Sequence, residues 1–107
     1  MFEVLDIGHQ NISLDSAVTF LETEVSRLQY EGNTRCIKII HGHGKGKLRE
    51  AVRSWCYEQE GRFHAVIFGE DYDVFHKISI SMRSDCGNPY DLDLGRKNRA
   101  ITYLWFW

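Results

Sequence analysis

The sequence predicts an α/β fold of the two-layer α+β kind, with a mixed sheet of four or five strands and two main helices on one face. Two observations predict it: short apolar stretches have the character of strands, and the longer stretches between them have helical periodicity. Strand and helix patterns alternate through residue 68, so the predicted order is β-α-β-α-β, an insert at residues 71–92, and a last strand. At 107 residues, the chain is predicted to form one domain over residues 1–107.

The first half of the chain carries clear signals for the ends of its elements. Glu3 to Ile7 is predicted to be a short strand, and Ser13 is placed to cap a helix whose apolar stripe runs from Leu14 to Leu28. Gly32 is predicted to end that helix. The second strand, residues 36–40, follows the helix, so we expect the two strands to be parallel.

The second half is less regular. A second helix is predicted from the apolar stripe of Leu48 to Cys56, ending at Gly61, and a third strand at residues 63–68. Residues 71–82 fit both a helix and a strand, so the pattern leaves their structure open. Residues 100–107 are predicted to be a last strand that is apolar on both faces.

Charge is unevenly distributed along the chain. The formal net charge of −2 does not by itself indicate a polyanionic partner, but residues 33–53 carry six basic side chains against one acid. Residues 1–32 carry six acids against one arginine. The positive charge is therefore concentrated on the second strand, the turn after it and the second helix, where a nucleic acid is the expected partner.

Cysteine usage and hydropathy predict the cellular compartment of the protein. Cys36, Cys56 and Cys86 form no CxxC pair and no zinc-ligand run, and because Cys36 falls in a predicted strand and Cys56 in a predicted helix, we expect buried thiols. The sequence has no leader pattern and no run of 18 apolar residues. We therefore expect a soluble, cytoplasmic protein without membrane contact.

The stretch from Ile37 to Arg49 places a glycine-rich turn with two histidines between a buried strand and a helix. The helix points its first N–H groups at the turn, which makes a binding site for an anion, typically a phosphate. The expected phosphate-binding residues are Gly42, His43, Gly44, Lys45, Gly46, Lys47 and Arg49. Leu48 stands where a P-loop needs Ser or Thr, and a single residue separates Gly44 from Gly46, so neither nucleotide-binding signature is present.

The run from Ile40 to Val52 resembles the signature of the Smr (small MutS-related) domain, which carries I-I-H-G-x-G-x-G-x-L-R-x-x-V at such a junction. Leu5–Ile7 resembles the start of the family's L-D-x-H-G motif, and Ile12–Ala17 resembles its L-T/S-x-x-E-A helix start. Residues 93–102 resemble the loop and strand that close longer members. The resemblance covers nearly the whole chain apart from the insert at residues 71–92.

The resemblance implies a β-α-β-α-β-β fold, nucleic-acid binding and often endonuclease activity, a hydrolase reaction on DNA or RNA. Some members act on messenger RNA at stalled ribosomes, so ribosome-associated RNA is among the implied partners. The family's central histidine corresponds to His41. Its first-motif histidine would fall at Gly8, but here His9 comes one residue later, and Ala100 stands where glycine is usual.

Phosphodiester cleavage needs a base, an acid and positive charge on the phosphate. His41 follows a strand, and the parallel first strand ends at the same edge of the sheet, so Asp6 and His9 are expected to face it. These three are the candidate catalytic residues. No cofactor is certain, and Mg²⁺ is the candidate; two histidines make no metal site unless Asp6 or His9 joins them.

Two alternatives to a nuclease remain open at this stage. The altered turn after the first strand favours a non-catalytic binding module that keeps the phosphate-binding turn. The aromatic last strand, with Tyr103, Trp105 and Trp107 on one face, permits a structural or regulatory protein that dimerises through this strand, so a monomer and a weak dimer are both expected states.

Overall fold

The computed structural model describes residues 1–59 and 61–107. Its strands are β1 (Phe2–Asp6), β2 (Cys36–Ile40), β3 (Ala65–Phe68) and β4 (Ile101–Trp105), and its helices are α1 (Leu14–Glu31), α2 (Lys47–Glu58) and α3 (Lys77–Asp85). A 3₁₀ turn, Gly69–Asp71, follows β3. The strands form one sheet in the order β1-β2-β4-β3, with β1 parallel to β2 and β4 antiparallel to both neighbours. This confirms the mixed sheet and the parallel first pair.

Local hydrogen bonds fix both ends of helix α1. The Ser13 hydroxyl accepts a hydrogen bond from the Ser16 N–H at 3.2 Å and so caps the first turn. At the other end Gly32 adopts a left-handed φ of 79°, and its N–H donates to the Leu28 carbonyl. Both ends confirm the predicted boundaries and fix the crossover that brings β2 beside β1.

The sheet is covered on both faces. Helices α1 and α2 pack on one face around Leu21, Ile39 and Trp55, as predicted for the two main helices. The segment that the sequence left open forms α3, whose Met82 packs on the opposite face with Tyr103. The insert therefore supplies a second, smaller core beneath the sheet.

The last strand is buried along its whole length, as its apolar character on both faces predicted. Leu104 belongs to the core under α1 and α2, whereas Tyr103 and Trp105 belong to the core under α3. Since side chains alternate between the faces of a strand, β4 joins the two cores.

A buried ion-pair network fastens the insert to the sheet. The Lys38 ammonium group, on β2, donates to Asp91 at 2.6 Å and also to Asp93. Tyr103 donates its hydroxyl to the other oxygen of Asp91 at 2.6 Å, and its ring stacks on Tyr72. A charged residue in a buried strand is explained by these partners, because a buried charge needs pairing and hydrogen bonds.

One expectation about the cysteines is wrong. Cys36 and Cys86 are buried, but they pair as a disulfide that joins β2 to the end of α3, with 6.3 Å between their Cα atoms. Only Cys56 stays a buried thiol among the described residues, and burial raises its pKa to about 12. The sequence missed the pair because its members lie 50 residues apart, and the pairing removes the cysteine argument for a reducing compartment.

In the described part of the chain, no helix has the length and apolar character needed to cross a membrane.

Candidate functional site

Three connecting segments meet at the carboxyl ends of β1 and β2, and two shared carbonyl groups hold them together. The Ile40 carbonyl accepts hydrogen bonds from the N–H groups of Ile7 and Gly8, at 2.9 and 3.0 Å. The Ala100 carbonyl accepts from His41 and Gly42, at 2.9 and 3.1 Å. The turn after β2 therefore lies between the turn after β1 and the segment that leads into β4.

The turn after β2 connects to α2 through three glycines with positive φ values. Gly42, Gly44 and Gly46 have φ values of 80°, 43° and 85°, which side-chain-bearing residues rarely adopt. Gly46 stands at the N-cap of α2, and no side chain caps the first turn of the helix. The positive end of α2 thus points into the turn with its amide groups available to an anion, as the sequence predicted.

Basic side chains surround this helix start. Lys45 and Lys47 are exposed, and Arg49 is half-buried, with its guanidinium group so close to Gly46 that a Cβ there would lie 2.8 Å from Nη2. Across residues 1–59 and 61–107, no carboxylate forms an ion pair with any of these three. Their charge is therefore available to a bound anion.

His41 is buried beneath the turn, with 3% of its surface exposed. Its Nε2 lies 2.9 Å from the Thr102 hydroxyl oxygen, and the Arg53 Nε–H donates to that same oxygen at 2.9 Å. Arginine can only donate, so the hydroxyl accepts from Arg53 and is free to donate its own hydrogen to Nε2. That arrangement places the imidazole proton on Nδ1, which donates to the Gly42 carbonyl at 3.2 Å.

The pKa of His41 is lowered to about 4, chiefly by burial; the positive charges of Arg53 and Arg49 act in the same direction, while the hydrogen bond to the Gly42 carbonyl and the charge of Glu70 oppose the change. The ring is thus neutral near pH 7. Because the folded pKa lies below that of the unfolded chain, about 6.5, His41 makes the free energy of unfolding fall as the pH drops from about 6.5 to about 4.

Two groups, Arg53 and Glu70, support His41 through Thr102 and were not identified as site residues from the sequence. Glu70 accepts two hydrogen bonds from the Arg53 guanidinium group, at 3.0 and 2.7 Å, and these lower the pKa of Glu70. Arg53 also donates to the Ile101 carbonyl and lies 3.9 Å above the Phe68 ring. Arg53 is one turn beyond Arg49 on α2, but only the folded topology brings it to Glu70, so the sequence offered no local signal.

The structure brings two predicted catalytic residues, Asp6 and His9, into contact. The His9 Nδ1 lies 2.8 Å from an Asp6 carboxylate oxygen, and the His9 side chain is 84% exposed. Asp6 pairs with Ile40 in the β1–β2 register, so the two side chains lie at the edge where His41 begins its turn. In the described residues, neither forms a hydrogen bond with His41. His43 is exposed on the neighbouring turn.

Position 8, where the first-motif histidine of the resembled family would fall, has no room for a side chain in this structure. A Cβ on Gly8 would lie 2.8 Å from the His41 carbonyl carbon and 2.9 Å from its oxygen, closer than side chains ever approach. No side chain fits at position 8 while these two turns remain in contact. The next residue, His9, is instead directed to solvent, where it meets Asp6.

A metal site made by the protein alone needs several converging ligands. Across residues 1–59 and 61–107, no three His, Cys, Asp or Glu side chains converge to hold a metal ion. Asp6 and His9 form a pair without a third ligand, so this arrangement does not fit a site for the candidate Mg²⁺ made by the protein alone.

Comparison with known proteins identifies a family and a solved structure of similar fold. The family model described as the Smr domain matches residues 10–70, more than half of the chain. The fold is similar to the crystal structure of the Smr domain of Thermus thermophilus MutS2, with a TM-score of 0.58 and 14% identity, over 98% of this chain and 96% of that one. No curated protein matches the chain.

The contact at Gly8 makes a testable prediction. Gly8→Ala should lower the free energy of unfolding by about 1–3 kcal/mol, the usual cost of forcing a methyl group into packed structure. Urea denaturation measures it. Asn11→Ala, at an exposed position of the same connection, is the matched control and should unfold like the wild type. Equal midpoints for both variants would contradict the close contact between the turns.

Proposed function

This chain belongs to the Smr domain family, and we propose that it binds nucleic acid by holding backbone phosphates at the turn between β2 and α2. Smr domains generally bind nucleic acids. The observation that carries the proposal for this chain is the uncapped start of α2 beside three basic side chains without a described carboxylate partner. A phosphate group satisfies both, because it accepts hydrogen bonds from helix amides and is attracted to lysine and arginine.

The contacts at this turn supply affinity without sequence preference. Lys45 and Lys47 are long, exposed point charges, and the amide groups of a helix start recognise phosphate oxygens that every nucleotide carries. Gly44 is exposed and has no atom within 4 Å of the position of a Cβ, so a phosphate can approach the backbone closely there. The expected ligand is therefore the backbone of RNA or DNA, including ribosome-associated RNA, and not a particular base sequence.

We further propose endonuclease activity, and the specific observation that favours it is the exposed His9–Asp6 pair. The carboxylate orients the ring through Nδ1 and leaves Nε2 to accept the proton of an attacking hydroxyl group. His41, buried and neutral, is suited to fix the turn at which phosphate binds. Its catalytic role stays a prediction, and the alternative function is a binding module without cleavage.

Binding should depend on salt in proportion to the phosphate contacts. We expect Lys45→Gln/Lys47→Gln to weaken binding similarly for all sequences and to lower the slope of log K against log salt concentration by about 0.7–0.9 per lost contact. Fluorescence anisotropy with labelled RNA and DNA measures both. Arg27→Gln/Arg62→Gln, which removes the same charge from side chains already paired with glutamates, is the control. A double lysine variant that binds like this control would overturn the proposed site.

Cleavage separates the nuclease from the binding module. If the protein cleaves, His9→Ala should reduce the rate by about two to four orders of magnitude while binding persists, the scale of a lost general base. His43→Ala removes an exposed imidazole that pairs with no described carboxylate, so its effect should be smaller. His41→Ala tests the assignment made from the sequence, provided that its circular dichroism matches the wild type. Wild-type protein that binds both nucleic acids and cuts neither, with or without Mg²⁺, supports the binding module.

A further inference from the structure

A second group of basic side chains lies on the loop before β4, at the same edge of the sheet. Arg96, Lys97 and Arg99 are all exposed. In the described part of the chain, none of the three forms an ion pair or donates a side-chain hydrogen bond. Three exposed basic residues therefore fall within four consecutive positions of this loop.

The loop that carries them is firmly held. The Asn98 side chain donates to Asp93 at 2.9 Å and accepts from the Ala100 N–H at 2.9 Å. The Gly95 N–H donates to the Tyr72 carbonyl at 2.9 Å, and the Asn98 backbone packs against Gly69 so closely that a Cβ there would not fit. These contacts preorganise the loop, which lowers the entropy cost of ordering it around a ligand.

The same loop is joined to the turn that the proposed function uses. The carbonyl of Ala100, the residue after Arg99, accepts the N–H groups of both His41 and Gly42. The two basic groups therefore lie on neighbouring segments at one edge of the sheet.

We propose that Arg96, Lys97 and Arg99 form the second half of the phosphate-binding surface, so that a polynucleotide contacts the His41 turn and this loop through separate phosphates. This proposal rests on the proposed function and extends it, because two basic groups on separate segments are occupied together only by a ligand with at least two phosphates. A nucleoside monophosphate offers only one and engages only one half. The ligand class is therefore a polynucleotide backbone that spans the edge.

The test uses Arg96→Gln/Arg99→Gln in anisotropy titrations with a labelled oligonucleotide across a range of salt concentrations. We expect weaker binding and a slope lower by about 0.7–0.9 for each lost contact. Arg96→Lys/Arg99→Lys keeps the charges and should bind like the wild type, as should the matched control Arg27→Gln/Arg62→Gln. Arg27, Arg96 and Arg99 are exposed and Arg62 is half-buried, so matching circular dichroism spectra are needed to confirm the folding of every variant.

The outcomes distinguish this inference from the proposed function. If the wild type binds and Arg96→Gln/Arg99→Gln binds equally well at every salt concentration, the second half is wrong and the turn after β2 acts alone. If the wild type prefers the oligonucleotide no more than a nucleoside monophosphate, a surface spanning both basic groups is also wrong. Wild-type protein that binds no nucleic acid overturns both proposals.

Discussion

The arrangement of the site depends on two backbone carbonyl groups that each accept two hydrogen bonds. Ile40 joins the turns after β1 and β2, and Ala100 joins the turn after β2 to the segment before β4. The contact is possible because position 8 has no side chain. Three segments distant in sequence thus form one rigid edge, and buried backbone groups find partners there that no regular ladder would supply.

This edge separates the two histidines by environment. His41 is buried and hydrogen-bonded to Thr102, and its burial, together with the charge of Arg53, keeps the ring neutral near pH 7. His9 lies in solvent with a carboxylate beside it. We therefore propose different purposes for the two rings: the buried ring supports the turn, and the exposed ring transfers protons.

Much of the fold could be predicted from the sequence because local signals agreed with the final structure. Both ends of β2, residues 36–40, were predicted correctly, since a run of β-branched residues flanked by polar ones favours a strand over other secondary structure. Residues 71–82 were ambiguous because exposed apolar side chains, such as Phe75 and Ile80, obscure the helical spacing of the buried Ser79 and Met82. The Arg53–Glu70 pair could not be predicted, because its members meet only after the sheet has formed.

The role of His41 as a buried, neutral support of the turn is tested most directly by NMR of its ring nitrogens, which reports the protonation state of the ring. From about pH 5 to about pH 7 we expect a neutral ring with the proton on Nδ1, and a pKa of about 4. Thr102→Val removes the hydroxyl group and should alter the Nε2 signal. A proton on Nε2, or titration near the ordinary histidine value of about 6.5, would contradict the claim that His41 is the buried support of the phosphate-binding turn.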